Sequence, residues 1–164
     1  MPKRPDATER AALLEVANHC LCRKARTAAR LLTRFYEPFF ADTGIESTQF
    51  SLLVAIRLAG PVPMTRLASL LGLERTTLTR NLEVLERQNL VELSVGTDAR
   101  SHLVDLTDGG RETVDRTLPR WQAAQKAAAD LLGKADFSAL QNALQLANTF
   151  NATSNPESGA SHER

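Results

Sequence analysis

Two cysteines are too few and too close together to staple this 164-residue chain. Cys20 and Cys22 stand two apart in a helical pattern, so they cannot bridge distant parts of a fold. Reduced thiols and a cytoplasmic location follow as the expectation. No apolar run is long enough to span a bilayer, and the opening MPKRPDATER does not read as a secretory leader. Neither charge sign is in excess. Twenty Lys and Arg face nineteen Asp and Glu, for a net +1, so composition alone does not announce nucleic acid. Histidine is scarce: there are three, and His162 lies in the C-terminal tail. With no Ser/His/Asp set and no Gly-rich phosphate loop, nothing points to an enzyme. Metal chelation by the two thiols is also disfavoured. On a regular helix, residues two apart point about 200° away from each other.

What the chain does have is a mainly α pattern with one small β-hairpin, predicted as six helices. Asp6 or Thr8 can cap a long first helix reaching roughly to Phe40 and bent near Pro38. Ser47 can cap a second helix, with Phe50, Leu53, Val54 and Leu58 inward, that stops at Gly60-Pro61. A third carries Leu67, Leu70 and Leu71 and ends at Gly72. The fourth places Leu78, Leu82 and Leu85 on one face and ends at Asn89, a residue that tolerates the left-handed cap. Val91, Leu93 and Val95 alternate opposite His102, Val104 and Leu106 around a turn at Gly96. Thr107 caps a fifth helix, bent at Pro119. A sixth carries Phe137, Leu140, Leu144, Ala147 and Phe150. From Ala152 the composition reads as a disordered tail.

Helix, tight turn, helix, hairpin is the order of a winged helix-turn-helix. Between Thr65 and Leu106 there are five arginines (66, 75, 80, 87, 100) against six acids (74, 83, 86, 92, 98, 105). A DNA-binding reading therefore rests on placement. The free face at the start of the fourth helix holds Arg75, Thr76, Thr77, Thr79 and Arg80. Such short donors and forked cations reach phosphates and base edges from a helix in a major groove. Glu83 and Glu86 come later in that helix and are expected to face away from the phosphates.

The first and last two helices are too long for one small core to cover. Their stripes bury most readily against the same helices of a second subunit. A homodimer also suits a palindrome, since two recognition helices about 34 Å apart read two half-sites.

Several segments together resemble the MarR family of bacterial transcriptional regulators. They are TQFSLL at 48–53, LASLLGL at 67–73, TTLTRNLEVLE at 76–86, NLVE at 89–92, Asp98-Ala99-Arg100, and LTDGGR at 106–111. The resemblance runs nearly to Phe150. It implies a single domain over 1–150. Helical dimerisation parts would fall at about 6–44 and 108–150, a winged helix-turn-helix at about 45–107, and a tail at 151–164. It also implies that Arg100 enters a minor groove, that Asp98 orients it, and that Thr76, Thr77, Thr79 and Arg80 supply the recognition-helix contacts. Where many members carry basic residues on the first wing strand, this chain has Leu93-Ser94.

The first helix carries a further signal. From His19 to Tyr36 there are five cations and no acid, and Arg23, Arg26, Arg30 and Arg34 form one stripe. This is either a solvated or ion-paired face or an anion site, in which Arg30 or Arg34 forks a ligand carboxylate. The resemblance implies a small aromatic acid at the junction of dimer and DNA parts, with Tyr36, Phe39, Phe40 and Trp121 as walls. In the hydroperoxide-sensing branch of the family a reactive cysteine stands fourteen residues before a Tyr-x-Pro, as Cys22 stands before Tyr36-Glu37-Pro38. That branch's other two tyrosines fall here at Arg26 and Ser47. The expectation is a homodimeric repressor of neighbouring genes released by an aromatic or anionic ligand. The alternatives are a redox sensor using Cys22 or, more remotely, a winged-helix protein-interaction module that never touches DNA. No cofactor is expected.

Overall fold

The computed structural model describes residues 4–95 and 102–150. Asp98, Arg100, the hairpin turn at Gly96 and the tail 151–164 lie outside the described residues. Seven helices and three short strands follow in the order α1 (Ala7–His19), α2 (Leu21–Phe40), α3 (Ser47–Ala59), β1 (Val62–Pro63), α4 (Met64–Leu71), α5 (Arg75–Arg87), β2 (Val91–Val95), β3 (His102–Leu106), α6 (Asp108–Leu132) and α7 (Lys134–Leu146). Among the described residues, no helix is long and apolar enough to cross a membrane.

The core sits in the winged part. Leu53 and Ile56 of α3, Leu67 of α4, the α5 ladder Leu78–Leu82–Leu85, and Val62, Val91, Val104 and Leu106 of the sheet are fully buried together. The strands form one antiparallel sheet in the order β1-β3-β2. The hairpin register is as the alternation predicts, with Val91 opposite Leu106, Leu93 opposite Val104 and Val95 opposite His102. Strand β1 is an addition that two residues could not announce: Val62 pairs with Val104 and Pro63 with Leu103. Gly72 (φ 61°) and Asn89 (φ 57°) take the left-handed conformation at the two helix ends where the sequence requires it.

Three expectations change. The predicted first helix is two, because Cys20 is extended (φ −62°, ψ 109°) between α1 and α2. Neither Pro nor Gly causes the break. Asn18, His19 and Cys20 are weak helix formers, and α1 buries no residue that could hold the helix straight across them. Glu46, not Ser47, caps α3: its side chain accepts from the N3 backbone while Gln49 reaches back, a reciprocal capping box. Leu58 points outward at 84% exposure, and Leu52 and Ile56 take the inward positions. Helix α6 runs Asp108–Leu132 from its Thr107 cap with Pro119 inside it.

Helices α1 and α7 bury no residue within the chain. Leu13, Leu14, Val16, Leu131, Leu144, Leu146 and Phe150 are all exposed. Helix α2 joins the core only through its C-terminal end, where the Phe40 ring lies 5.6 Å from Phe50.

Candidate nucleic-acid interface and effector cavity

Burial of Leu78, Leu82 and Leu85 fixes the rotation of α5 and so decides what faces out. Arg75, Thr76, Thr77 and Arg80 are exposed, as the spacing predicts. Thr79 is not free. It is half-buried, and its hydroxyl donates to the Arg75 carbonyl at 2.9 Å. The outward line continues instead through Glu83 and Arg87, both exposed. Glu83 therefore shares the exposed side of α5 with Thr76 and Arg80. Arg66, near the start of α4, is exposed as well.

Seven arginines of α3 to α6 fall into two groups. Arg57 meets Asp115 at 2.5 Å, Arg111 reaches Asp105 at 3.5 Å, and Arg120 bonds Asp42. These three tie α6 to α3, to β3 and to the segment after α2. Arg66, Arg75, Arg80 and Arg87 make no ion pair among the described residues. Their charge is available to an outside anion, and the fork of each guanidinium matches phosphate. The helix-turn-helix face thus presents free cations in a segment whose bulk charge is near zero.

Three comparisons place this geometry. The family model described as the MarR family matches residues 43–101. The fold is similar to that of a Mycobacterium tuberculosis transcriptional regulator, MosR, solved in complex with DNA. The identity is 36% over 79% of this chain and 98% of that one, with a TM-score of 0.65. The chain belongs to the MarR family. That family is one of transcriptional regulators, not enzymes. A similar fold is seen in the transcriptional repressor CouR bound to a 23-mer DNA duplex, at 25% identity over 80% of this chain and 94% of that one, with a TM-score of 0.71. Among curated relatives, a helix-turn-helix-type regulator of Bacillus subtilis, YwoH, is 35% identical over 89 residues. The match spans 54% of this chain and 62% of that relative, so the chain covers under two thirds of it.

The junction between α2, α3 and α6 holds a cavity of about 200 Å³, lined by Thr33, Tyr36, Phe40, Ser47, Thr48 and Trp121 among others. A second lobe of about 240 Å³ lies against Phe50, Val54 and Leu118, sharing Ser51 and Trp121 with the first. The walls are apolar and the polar groups are hydroxyls. Burial raises the Tyr36 phenol above its ordinary pKa of 10.0, since the phenolate would lose hydration there. Of the residues predicted for a ligand site, the structure brings Tyr36 into this cavity but not Arg30 or Arg34. Arg34 lies two residues before Tyr36, hence about 200° around the helix from it. Arg30 donates instead to Thr27 at 3.2 Å. The cation stripe and the cavity occupy different sides of α2. Phe40 and Trp121 join the lining as predicted, whereas Phe39 packs against the winged core.

Cys22 is exposed in the first turn of α2, and Cys20 is half-buried at the break just before it. Because Cys20 lies outside the regular helix, the 200° separation predicted for the two thiols does not hold.

Proposed function

We propose that this MarR-family chain is a cytoplasmic regulator that binds palindromic duplex DNA as a homodimer and represses neighbouring genes. In this reading a small effector entering the Tyr36–Trp121 cavity releases the DNA. The observation that carries it is the α5 face: a buried leucine ladder turns Arg75, Thr76, Thr77 and Arg80 outward with both arginines unpaired. That MosR and CouR, similar in fold, are solved bound to DNA supports DNA binding by this chain. The uncovered apolar residues of α1 and α7 support dimerisation through parts 6–44 and 108–150, with 45–107 as the DNA-binding part. The wing assignment of Asp98 and Arg100 rests on the resemblance alone.

Fluorescence anisotropy with operator-length duplex, read at several salt concentrations, tests this. A steep loss of affinity with salt is expected from phosphate neutralisation. Arg100→Ala should weaken binding by about 1–3 kcal/mol without dissociating the dimer. Alanine at Thr77 or Arg80 should relax preference at particular base pairs, and Arg80→Lys should not fully restore it, because Lys lacks the planar fork. No salt-dependent binding to any duplex would instead make this a protein-interaction module.

The effector is expected to be a small aromatic compound. Its ring would sit between Tyr36, Phe40 and Trp121, and its polar or anionic end would meet the hydroxyls of Thr33, Ser47, Thr48 and Ser51. A second reading keeps the DNA chemistry but places the sensor at Cys22. What favours it is the exposure of that thiol at the start of α2, next to the break in the chain.

A further inference from the structure

Around α5, four of the exposed residues fall on one line. Thr76, Arg80, Glu83 and Arg87 are spaced four, three and four apart and stand opposite the buried Leu78, Leu82 and Leu85. This line holds one acid. A carboxylate on a surface that approaches phosphates is repelled by them, and the segment has no surplus of cations to offset it. Nor is Glu83 neutralised within the protein. Arg80 stands one turn before it and Arg87 one turn after, at spacings that allow ion pairs. Among the described residues Glu83 pairs with neither. It projects as an acceptor-only group between two unpaired forks.

We propose that Glu83 is a specificity-determining residue that accepts a hydrogen bond from the exocyclic amine of a cytosine. The inference rests on the reading that α5 lies in a major groove. Along that groove the base-edge donors are the cytosine N4 and adenine N6 amines. Guanine offers O6 and N7 and thymine offers O4, all acceptors that repel a carboxylate. Adenine sets its N7 acceptor beside its amine, so a carboxylate meets repulsion as well as a bond. Cytosine carries no acceptor of its own on this edge: the guanine O6 of its pair lies on one side of the amine and its C5–H on the other, so a carboxylate can approach from the C5 side. Glu83 thus trades general affinity for selectivity: it discourages unmatched sequences through its charge and is compensated where a cytosine stands opposite.

The test is selection of duplexes from a randomised library by the full chain and by Glu83→Gln and Glu83→Ala. The two substitutions are at an exposed helix position and keep good helix formers there. The unsubstituted chain should enrich cytosine at one position of each half-site by about five-fold or more over the other bases. Both variants should lose that preference while keeping those at other positions, and both should bind unselected duplex more tightly. Identical base preferences in all three proteins would overturn the role of Glu83 alone. Duplex retained with no base enriched would overturn the role of Glu83 alone; if the unsubstituted chain retains no duplex at all, the DNA-binding reading falls and this one falls with it.

Discussion

Gly110 lies so close to Leu90 that a Cβ built on it would overlap the Leu90 carbonyl oxygen. The first turn of α6 is thereby pressed onto the turn that ends the recognition helix. Thr107 fastens the same joint. Its amide donates to the Leu90 carbonyl at 3.2 Å, its hydroxyl donates to the Asn89 carbonyl at 2.7 Å, and that hydroxyl accepts from the Gly110 amide at 3.0 Å. The chain thus locks the end of α5 to the start of the long helix α6. Any shift of α6 is felt at the recognition helix through Asn89 and Leu90.

Gly110→Ala must separate α6 from this turn, because the atom in the way is backbone and cannot rotate aside. Destabilisation of about 2–4 kcal/mol is expected, in the range of other overpacked sites. Chemical denaturation followed by helical circular dichroism measures it. An unchanged midpoint would mean that the turn yields at little cost. Gly109, whose added Cβ would meet nothing closer than 3.4 Å, should tolerate alanine far better.

The winged core was legible in the sequence because its residues signal locally. A leucine every third or fourth position, a glycine after α4, an asparagine after α5 and strict alternation in the hairpin each fix one element. The break at Cys20 was not legible. Helix propensity falls only slightly over Asn18, His19 and Cys20, and whether the chain bends there depends on packing that α1 does not have. The exposed face of α5 was half legible. Periodicity put Arg80 and Thr77 on the outside, but a focus on residue types grouped Thr79 with them, although it is half-buried and its hydroxyl donates to the Arg75 carbonyl. The same focus turned Glu83 away from a face where the leucine ladder puts it. Arg30 and Arg34 looked like ligand residues from charge alone, whereas the cavity lies on another side of the helix.

Thr117 offers a test of the α6 packing. Its side chain is fully buried and its hydroxyl has no hydrogen-bond partner among the described residues. An unmade bond in such a place costs free energy. Thr117→Val keeps the shape and removes the orphaned group, so stability should be unchanged or rise by about 1 kcal/mol. Thermal denaturation reads the effect. A marked loss would mean that the hydroxyl has a partner supplied from outside the chain.

Tyr36 gives a pH signature that can be read without interference, because it is the chain's one tyrosine. Its folded pKa lies above the ordinary value of 10.0. The unfolded chain therefore releases this proton first as pH rises. The stability linked to Tyr36 is fully present below pH 10 and is lost as pH climbs from there through the folded pKa. Tyrosinate absorbance should titrate later in the native protein than in denaturant, and Tyr36→Phe should flatten the alkaline decline in stability. Coincident native and denatured titrations would place the phenol in water rather than in the cavity.

The same cavity supplies the means to separate the two release mechanisms. Trp121 is the chain's one tryptophan and it borders both lobes. Its fluorescence should therefore change when an aromatic carboxylate such as salicylate occupies either lobe. Operator affinity should fall over the same ligand range, since a ligand that wedges α2 from α3 favours a different spacing of the two winged parts. Trp121→Leu or Ser51→Leu should blunt release while leaving ligand-free DNA binding intact, and Arg34→Ala should matter less because Arg34 faces away. Cys22→Ser should not affect this response. If Cys22 is the sensor, peroxide should release the DNA, reductant should restore it, and the Cys22→Ser protein should stay bound in peroxide. Release by aromatic acids with no change in Trp121 fluorescence would move the effector out of the cavity. Operator binding that ignores both peroxide and a broad panel of aromatic acids would remove both mechanisms and leave a constitutive DNA-binding protein.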